Sequence, residues 1–536
     1  MSNARWGTPE SLRALICELV SWQSRTLTDG ERKFAHNLKE TLMELDYFKE
    51  NPSYLALHDA GLGRNVVTAL YKNPNVNETI VLISHFDTVH TEEYGELEPL
   101  AFLPEKLTQV LRERSSELPE EARFDLESGN YLFGRGTMDM KMGLALHMSL
   151  IEKASIENWP INLLLVTVPD EEVDSAGMRA AVPELVKLRE EHQLIYKLFL
   201  NSEPTFSQEP GDQNYYIYSG TIGKIMPAAL FYGKETHVGE PMSGITASFM
   251  ATFLTQQMEW NPLFREADFN ESTPLPVSLQ LKDLKMDYST QTPYRAAALY
   301  NVFLMKRGAN EVMELFTKAA VDAAKACNQA YLLICKREDV KPIGKVNVLR
   351  YEELLQYAKE KLGSDTISSI KTNALKNNNW DDREKSIRIV DQLMIQCQEL
   401  GPSIVLLFAP PYYPAINTSN DSLVIDSIDL LKKVGKEKFT LEVNQIHYFN
   451  GISDLSYVSY NDESDGWTVY EQNTPVWGDT YSIPFTEMKQ LQAPVLNVGP
   501  FGKDAHKFTE RLHTESAFVQ LPFLLEELVK SLFQKK

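Results

Sequence analysis

The chain has 536 residues, 43% of them hydrophobic, and a formal net charge of −21. This length predicts two domains, or one domain with large insertions, and the acidic balance argues against nucleic acid and against an anionic membrane surface as partners. The four cysteines are sparse, and we recognise no signal peptide and no apolar run long enough to span a membrane. We therefore expect a cytoplasmic protein with reduced thiols.

The first 216 residues alternate short apolar runs with amphipathic segments. Three of the runs are TIVLISH (79–85), NLLLVTVPD (162–170) and YKLFLNSEP (196–204). Each is rich in Leu, Ile and Val and ends in polar or acidic residues, which is typical of buried strands in a mostly parallel, helix-covered sheet. The sequence therefore predicts an α/β domain whose functional residues lie where the strands end.

A histidine and an aspartate close the first of these strands, in the sequence His85-Phe86-Asp87. Two residues apart on a strand they point to the same face, which suits a metal-binding imidazole held by a nearby carboxylate. A polar strand end is the alternative. The next motif, GRGTMDMKMG (134–143), places Asp139 in a glycine-flanked turn before a helix. That aspartate could cap the helix, or its two oxygens could bridge two metal ions.

Acidic residues close the next two strands. Asp170, Glu171 and Glu172 follow NLLLVTV, and Glu203 follows KLFLN. Adjacent glutamates at a strand end suit two tasks, one as a metal ligand and one as a general base for metal-activated water. Taken alone, they are also consistent with solvated surface charge.

Together the motifs indicate a site for two divalent metal ions. Carboxylate and imidazole donors without thiolates suit zinc first, with manganese or cobalt as alternatives. Two ions about 3.5–4 Å apart can activate a hydroxide. The second imidazole comes from GKDAHKFTERLH (502–513), which follows the apolar run PVLNVGP. His506 is nearer to that run, whereas His513 leads directly into the final helix. We choose His506 and keep His513 as the alternative.

The middle of the chain has a different pattern. From 217 to 345 strands alternate with longer helices such as ANEVMELFTKAAVDAAKACNQAYLLI, and 346–400 is polar and helical. The strand pattern resumes after 401 with SIVLLFAPP. We therefore predict the first part of an α/β domain at 1–216, a second domain at 217–345, a helical insertion at 346–400, and the return to the first domain at 401–536.

These motifs resemble those of the M20 metallopeptidases, which include dipeptidases, aminoacylases and carboxypeptidase G-like enzymes. HFDTV, GRGTMDMK, PDEEVDSAG and NSEPT match the H-x-D, G-R-G-x-x-D-x-K, D-E-E and E-P-T elements of the family in order. GKETHVGEPMSGITA (233–247) resembles the lid motif, and YFNGISDLSY (448–457) resembles the G-G-T-S-D-A element. SIVLLFAPPYYP, GPFGKDAHKFTERLH and the length look closest to the arginine-utilisation (Roc-type) branch. Met142, Thr246 and a polar insert at 93–128 depart from the family pattern.

The resemblance implies a zinc-peptidase-like catalytic domain with an inserted α+β lid domain that forms a homodimer. It also implies a ligand set for two divalent ions. His85 and Glu203 would hold one ion, Glu172 and His506 would hold the other, and Asp139 would bridge them.

The resemblance also implies the remaining roles. Asp87 would hold the imidazole of His85, and Glu171 would be the base that deprotonates water. His237 in the lid would stabilise the oxyanion in a partner subunit, with an ordinary turn histidine as the alternative. Arg295 could bind a substrate carboxylate, although a surface arginine is the simpler interpretation.

The implied activity is hydrolysis of an amide bond in a small peptide or an N-acyl amino acid, with a link to arginine catabolism. The alternative is a non-catalytic binding or regulatory protein that retains the fold.

Overall fold

A computed structural model describes residues 4–534, except residues 210, 213, 286 and 461–465. The described residues form two compact units. The first unit takes its residues from Met1–Thr221, Ile416–Tyr460 and Pro484–Lys536, and the second takes them from Ile222–Ala415 and Asn461–Ile483.

The strands in chain order are β1 (Leu55–Asp59), β2 (Asn65–Tyr71), β3 (Glu78–His85), β4 (Tyr131–Phe133), β5 (Asn162–Val168), β6 (Ile195–Asn201), β7 (Tyr215–Tyr218), β8 (Gly220–Thr221), β9 (Gly223–Tyr232), β10 (Ala267–Asp268), β11 (Glu271–Ser272), β12 (Val277–Asp283), β13 (Arg295–Leu304), β14 (Asn347–Arg350), β15 (Ser403–Tyr413), β16 (Ile416–Asn417), β17 (Val443–Ile446), β18 (Val495–Asn497), β19 (Gly502–Lys503) and β20 (Arg511–His513).

The α-helices are α1 (Pro9–Ser21), α2 (Asp29–Met43), α3 (Asp46–Glu50), α4 (Pro104–Glu113), α5 (Glu120–Ser128), α6 (Lys141–Glu157), α7 (Ala176–Glu191), α8 (Ala247–Met258), α9 (Ala309–Arg337), α10 (Tyr351–Leu362), α11 (Ser364–Leu375), α12 (Asp382–Gln396), α13 (Ser422–Phe439), α14 (Trp467–Gln472), α15 (Phe485–Leu491) and α16 (Leu521–Gln534). Their ends follow local sequence signals: Thr8 caps α1 ahead of a proline, and Gly129, in the left-handed region, ends α5. Each helix among the described residues is too short or too polar to cross a membrane. All four cysteines are free thiols.

The first unit is built on an eight-stranded sheet with the order β1-β2-β5-β3-β6-β18-β7-β17. The four central strands β5, β3, β6 and β18 are parallel to one another, and β1 and β2 add an antiparallel edge beside β5. Ile80 and Leu82 of β3 enter a core shared with α1, α2, α6, α13 and α16. Val81 and Ile83 are equally buried on the opposite face, which explains the continuous apolar runs in the sequence. The predicted mostly parallel, helix-covered α/β sheet is confirmed.

The parallel direction of the central strands brings their carboxyl ends to one edge of the sheet. His85 is the last residue of β3 and pairs with Val168, the last residue of β5. Asn201 ends β6 beside Asn497 of β18. The polar residues that follow these strands in the sequence are therefore neighbours in space.

The second unit contains a five-stranded sheet with the order β12-β13-β9-β15-β14. β9 lies between β13 and β15 and is antiparallel to both, and β14 is parallel to β15. The helices α8 and α9 pack against each other beside this sheet.

The structure divides the chain differently from the sequence prediction. The run SIVLLFAPP was expected to return to the first domain at 401, but it forms β15 in the sheet of the second unit. The segment 346–400 was expected to be a separate insertion, but it contributes β14 and three helices to the same unit. A fully buried strand is apolar on both faces in either sheet, so its pattern does not indicate which sheet it joins.

Candidate metal centre

Five of the predicted ligands converge at the strand ends of the first unit. They form two overlapping groups, in each of which the ligand atoms lie within 4.8 Å of one another. One group is His85, Asp139 and Glu203, and the other is Asp139, Glu172 and His506. The shared member is Asp139, which precedes α6 and has a cis peptide bond to Met140.

The two oxygens of Asp139 face different imidazoles. Its Oδ1 lies 3.2 Å from Nε2 of His85, and its Oδ2 lies 3.2 Å from Nε2 of His506. Glu203 Oε1 is 3.4 Å from the same nitrogen of His85, and Glu172 Oε2 is 3.1 Å from that of His506. The arrangement thus has two histidine–glutamate pairs with one aspartate between them.

Asp87 connects the histidine at the end of β3 to the turn after β5. Nδ1 of His85 lies 3.1 Å from the backbone oxygen of Asp87 and 3.5 Å from its Oδ1. The Asp87 carboxylate accepts the backbone N–H groups of Glu171 at 3.0 Å and Glu172 at 3.3 Å, and the hydroxyl of Thr26 at 2.9 Å. Because Nδ1 is engaged in this way, Nε2 of His85 is the nitrogen directed at the other ligands.

Asp170, the first acidic residue of the turn, has a structural role. Its backbone is in the left-handed region, its Oδ1 pairs with Arg64, and its Oδ2 accepts the backbone N–H of Ala176 at 3.0 Å. These contacts shape the turn that presents Glu171 and Glu172.

Glu171 lies beside the ligand groups without belonging to either of them. It is buried, and its Oε2 is 3.9 Å from Nε2 of His85. Burial raises the pKa of Glu171 well above its usual value, and the charges of Glu203, Asp454 and Glu172 act in the same direction while His85 opposes them. The turn therefore holds a carboxyl group with an unusually strong affinity for a proton.

The ligands themselves have strongly shifted pKa values. Burial would raise the pKa of Asp139, but hydrogen bonds from His506 and His85 hold it well below the usual range. Hydrogen bonds to Asp139 and Glu172 raise the pKa of His506 to about 11. Burial raises the pKa of Glu203 well above its usual value, and Asp139 and Glu172 add to this effect. The site concentrates negative charge in a buried place, which positive ions would neutralise.

Three predicted residues lie away from these groups. His513, on β20, accepts the backbone N–H of Ser516 through Nδ1 at 3.3 Å and lines a cavity of about 460 Å³ in the first unit. His237 is exposed in the second unit, where its Nδ1 accepts the backbone N–H of Gly239. The side chain of Arg295 is 20% exposed in the second unit, and its Nη1 pairs with the fully buried Asp391 at 2.9 Å.

Two residues near the site were given no role by the sequence analysis. Asp454, in the YFNGISDLSY motif, is buried, and burial raises its pKa to about 7, with Asp87 contributing. Lys141, in the GRGTMDMK motif, lies fully buried over the ring of Phe34, with Nζ 5.1 Å from the ring centre. Burial lowers the pKa of Lys141 to about 7. Asp454 and Lys141 lie in sequence motifs that resemble those of the family, and this position within a motif is the signal by which each could have been identified as a site residue.

A mostly parallel sheet whose strand ends gather two imidazoles and several carboxylates fits the active site of a metal-dependent hydrolase. The chain matches the model of peptidase family M20/M25/M40 over residues 81–519, and it belongs to this family. The resemblance noted in the sequence is thus confirmed.

Full-length relatives support the assignment. The chain is 40% identical to the uncharacterized protein YqjN of Bacillus subtilis (strain 168), over 99% of this chain and 98% of the relative. It is 29% identical to protein RocB of the same strain, over 98% of this chain and 95% of the relative. Among solved structures, the M20 family metallo-carboxypeptidase Sso-CP2 from Sulfolobus solfataricus shares the fold, with a TM-score of 0.55 and 14% identity over 97% of this chain and 98% of that chain.

Proposed function

We propose that the protein is a cytoplasmic hydrolase that uses two divalent metal ions to cleave an amide bond in a small peptide or an N-acyl amino acid. The observation that carries the proposal is the position of Asp139, which has one imidazole at each carboxylate oxygen. Glu171, beside this arrangement, is the proposed base.

The residues present fit two divalent ions. His85, Asp139 and Glu203 would hold one ion, and Asp139, Glu172 and His506 would hold the other. Imidazole and carboxylate donors favour zinc, with manganese and cobalt as alternatives. The excess of buried carboxylates over imidazoles supports occupancy by cations, since the charges otherwise repel one another.

Bound ions would polarise the substrate carbonyl and lower the pKa of water. Glu171 would accept the proton of the attacking water on a carboxyl oxygen and return it to the leaving amine. A carboxyl group suits both transfers, because it can accept a proton as a carboxylate and donate the same proton as an acid. Asp87 supports this role by accepting the backbone N–H of Glu171.

The family and the Roc-type resemblance support the proposed substrate class. We propose a peptide or acylated amino acid that contains arginine, which would place the enzyme in arginine catabolism. The exposed His237 is proposed to reach the oxyanion of a substrate bound in the partner subunit of a homodimer. Arg295 is a weaker candidate for binding the carboxylate of the substrate, because its guanidinium already pairs with Asp391.

A screen of dipeptides and N-acyl amino acids with Zn²⁺, Mn²⁺ and Co²⁺ tests the activity, and Glu171→Gln tests the mechanism. The variant should retain its metal ions and lose about 10²–10⁴-fold in turnover, the range for a general base. Unchanged turnover would overturn the role of Glu171. Fewer than about one bound ion per wild-type chain would favour the non-catalytic binding protein instead.

A further inference from the structure

The two proposed ion sites differ in how their histidines are held. The side chain of His85 is 1% exposed at the end of a central strand, whereas that of His506 is 50% exposed. His506 lies between β19 and β20, at the tip of a hairpin, with its backbone in the left-handed region. Packing around the ring therefore contributes less to the position of His506 than to that of His85, and the position of His506 depends more on the backbone of the hairpin.

Asp504 holds the conformation of this tip. Its backbone is also in the left-handed region, with a φ of 58°. Its Oδ1 accepts a hydrogen bond from Nζ of Lys507 at 3.0 Å, and its Oδ2 accepts one from the hydroxyl of Thr509 at 2.8 Å and another from Nη1 of Arg511. Asp504 therefore links Lys507 and Thr509 of the tip to Arg511 of β20 by hydrogen bonds, and His506 lies between the linked residues.

Arg511 connects the tip to a distant part of the chain. Its side chain is fully buried, and its guanidinium carbon lies 5.8 Å from the ring centres of both Tyr131 and Phe133. Its Nε donates to Oδ2 of Asp125 at 2.8 Å, and Lys503 donates to the same oxygen at 2.9 Å. Asp125 is buried on α5, within the polar insert at 93–128.

The same insert holds the hairpin at a second point. Arg135 pairs with Glu93 of the insert and with Glu510 of the hairpin, and its side chain is 1% exposed. Outside the insert, the backbone N–H of Gly134 donates to the backbone oxygen of Glu510 at 3.1 Å. Buried charges of this kind depend on their partners, because removal of one partner leaves the other uncompensated.

We propose that the 93–128 insert is a positioning element for one of the two ions. Through Asp125 it fixes Arg511 and Asp504, and so sets the backbone that presents His506. Asp125 is a positioning residue, since it acts through Arg511. This inference rests on the proposed two-ion function. Its consequence is selective: loss of Asp125 should weaken the site of Asp139, Glu172 and His506 and spare the site of His85, Asp139 and Glu203.

Calorimetric titration of the metal-free full-length protein with Mn²⁺ tests this selectivity. The wild type should show two binding events. In Asp125→Asn one event should weaken by about 10–100-fold, the range for residues that orient metal ligands, and the other should not change. Glu105→Gln is the matched control, because Glu105 lies in the same insert but forms an exposed pair with Arg13. It should titrate like the wild type.

Two further variants separate positioning from general destabilisation. Asp504 also pairs with Arg511 but is more accessible, with its side chain 26% exposed. Asp504→Asn should therefore weaken the same single Mn²⁺ binding event. This variant provides the test if Asp125→Asn does not fold. In a His506→Ala background, Asp125→Asn should cause no additional loss of Mn²⁺ affinity. Equal weakening of both events, no weakening, or an additional loss in that background would overturn the inference. Fewer than two events in the wild type would instead contradict the proposed two-ion function.

Discussion

Replacement of Asp87 with asparagine should disturb both the imidazole of His85 and the turn that carries the two glutamates. One oxygen of Asp87 accepts the backbone N–H of Glu171 at 3.0 Å, and the other accepts that of Glu172 at 3.3 Å. An asparagine amide replaces one of these oxygens with an NH₂ group. In either orientation of the amide, one backbone N–H then faces a donor instead of an acceptor.

The size of the effect follows from these contacts. An unsatisfied buried N–H costs about 1–3 kcal/mol, which corresponds to roughly 5-fold to 150-fold in an equilibrium constant. Because the turn carries the Glu172 ligand, and because the same carboxylate lies 3.5 Å from Nδ1 of His85, part of this cost should appear in metal binding. We expect the Zn²⁺ affinity of Asp87→Asn to fall by about 10–100-fold.

Competition titration of the metal-free protein against a zinc chelator measures this change. Asp46→Asn is the control, because the Asp46 side chain is 87% exposed on α3 and pairs with Lys49 in a helical i,i+3 contact. Such a surface pair contributes little, so the control should bind Zn²⁺ like the wild type. Wild-type affinity in Asp87→Asn would refute the proposal that Asp87 orients the ligands.

Three further predictions address the ligands, the pH dependence and the ions. His506→Ala should lose one of the two ions in elemental analysis, whereas His513→Ala should retain both; the reverse result would make His513 the ligand. Burial and the charge of Asp87 raise the pKa of Glu31 to about 8 from 4.5. The folded protein therefore holds this proton more tightly than the unfolded chain, and stability is lost as pH rises from about 4.5 to 8. In chemical denaturation, the free energy of unfolding of Glu31→Gln should therefore rise relative to that of the wild type as pH increases across this window. A difference between the two proteins that does not change with pH would contradict the raised pKa of Glu31. Removal of the ions with a chelator should lower the melting temperature, and excess Zn²⁺ should restore it. At 1,000 times the Kd, Zn²⁺ should raise the free energy of unfolding by about 4 kcal/mol. A melting temperature insensitive to Zn²⁺ would contradict the proposed metal centre.

The central strands and most of the site could be predicted because one physical rule governs both. Strands buried on both faces appear as unbroken apolar runs, and their parallel direction brings the residues after each run to one edge. His85, the pair Glu171–Glu172 and Glu203 were therefore recognisable as candidate site residues from their places at the ends of β3, β5 and β6, whereas the choice of Glu172 as the ligand came from the family resemblance. These positions could be identified because each lies at the end of an apolar run, and such a run can be recognised from neighbouring residues in the sequence.

Other features depend on contacts between distant segments. The choice between His506 and His513 depends on the hairpin of β19 and β20, which directs one histidine to Asp139 and places the other in a ring contact with Tyr131. The assignment of β15 to the second unit depends on its pairing with β9. Periodicity along the chain contains no information about such partners, so they were not predictable from it.

The hairpin that carries His506 also has a consequence for the order of events during synthesis. The ligands near the start of the chain emerge from the ribosome long before the hairpin, and β18, which lies between β6 and β7, emerges just ahead of it. His85, Asp139 and Glu203 therefore all lie outside the ribosome before His506 emerges. In the proposed two-ion centre, the second ion could bind only after the segment that carries His506 has emerged and folded, which would make its uptake a check that this segment is in place.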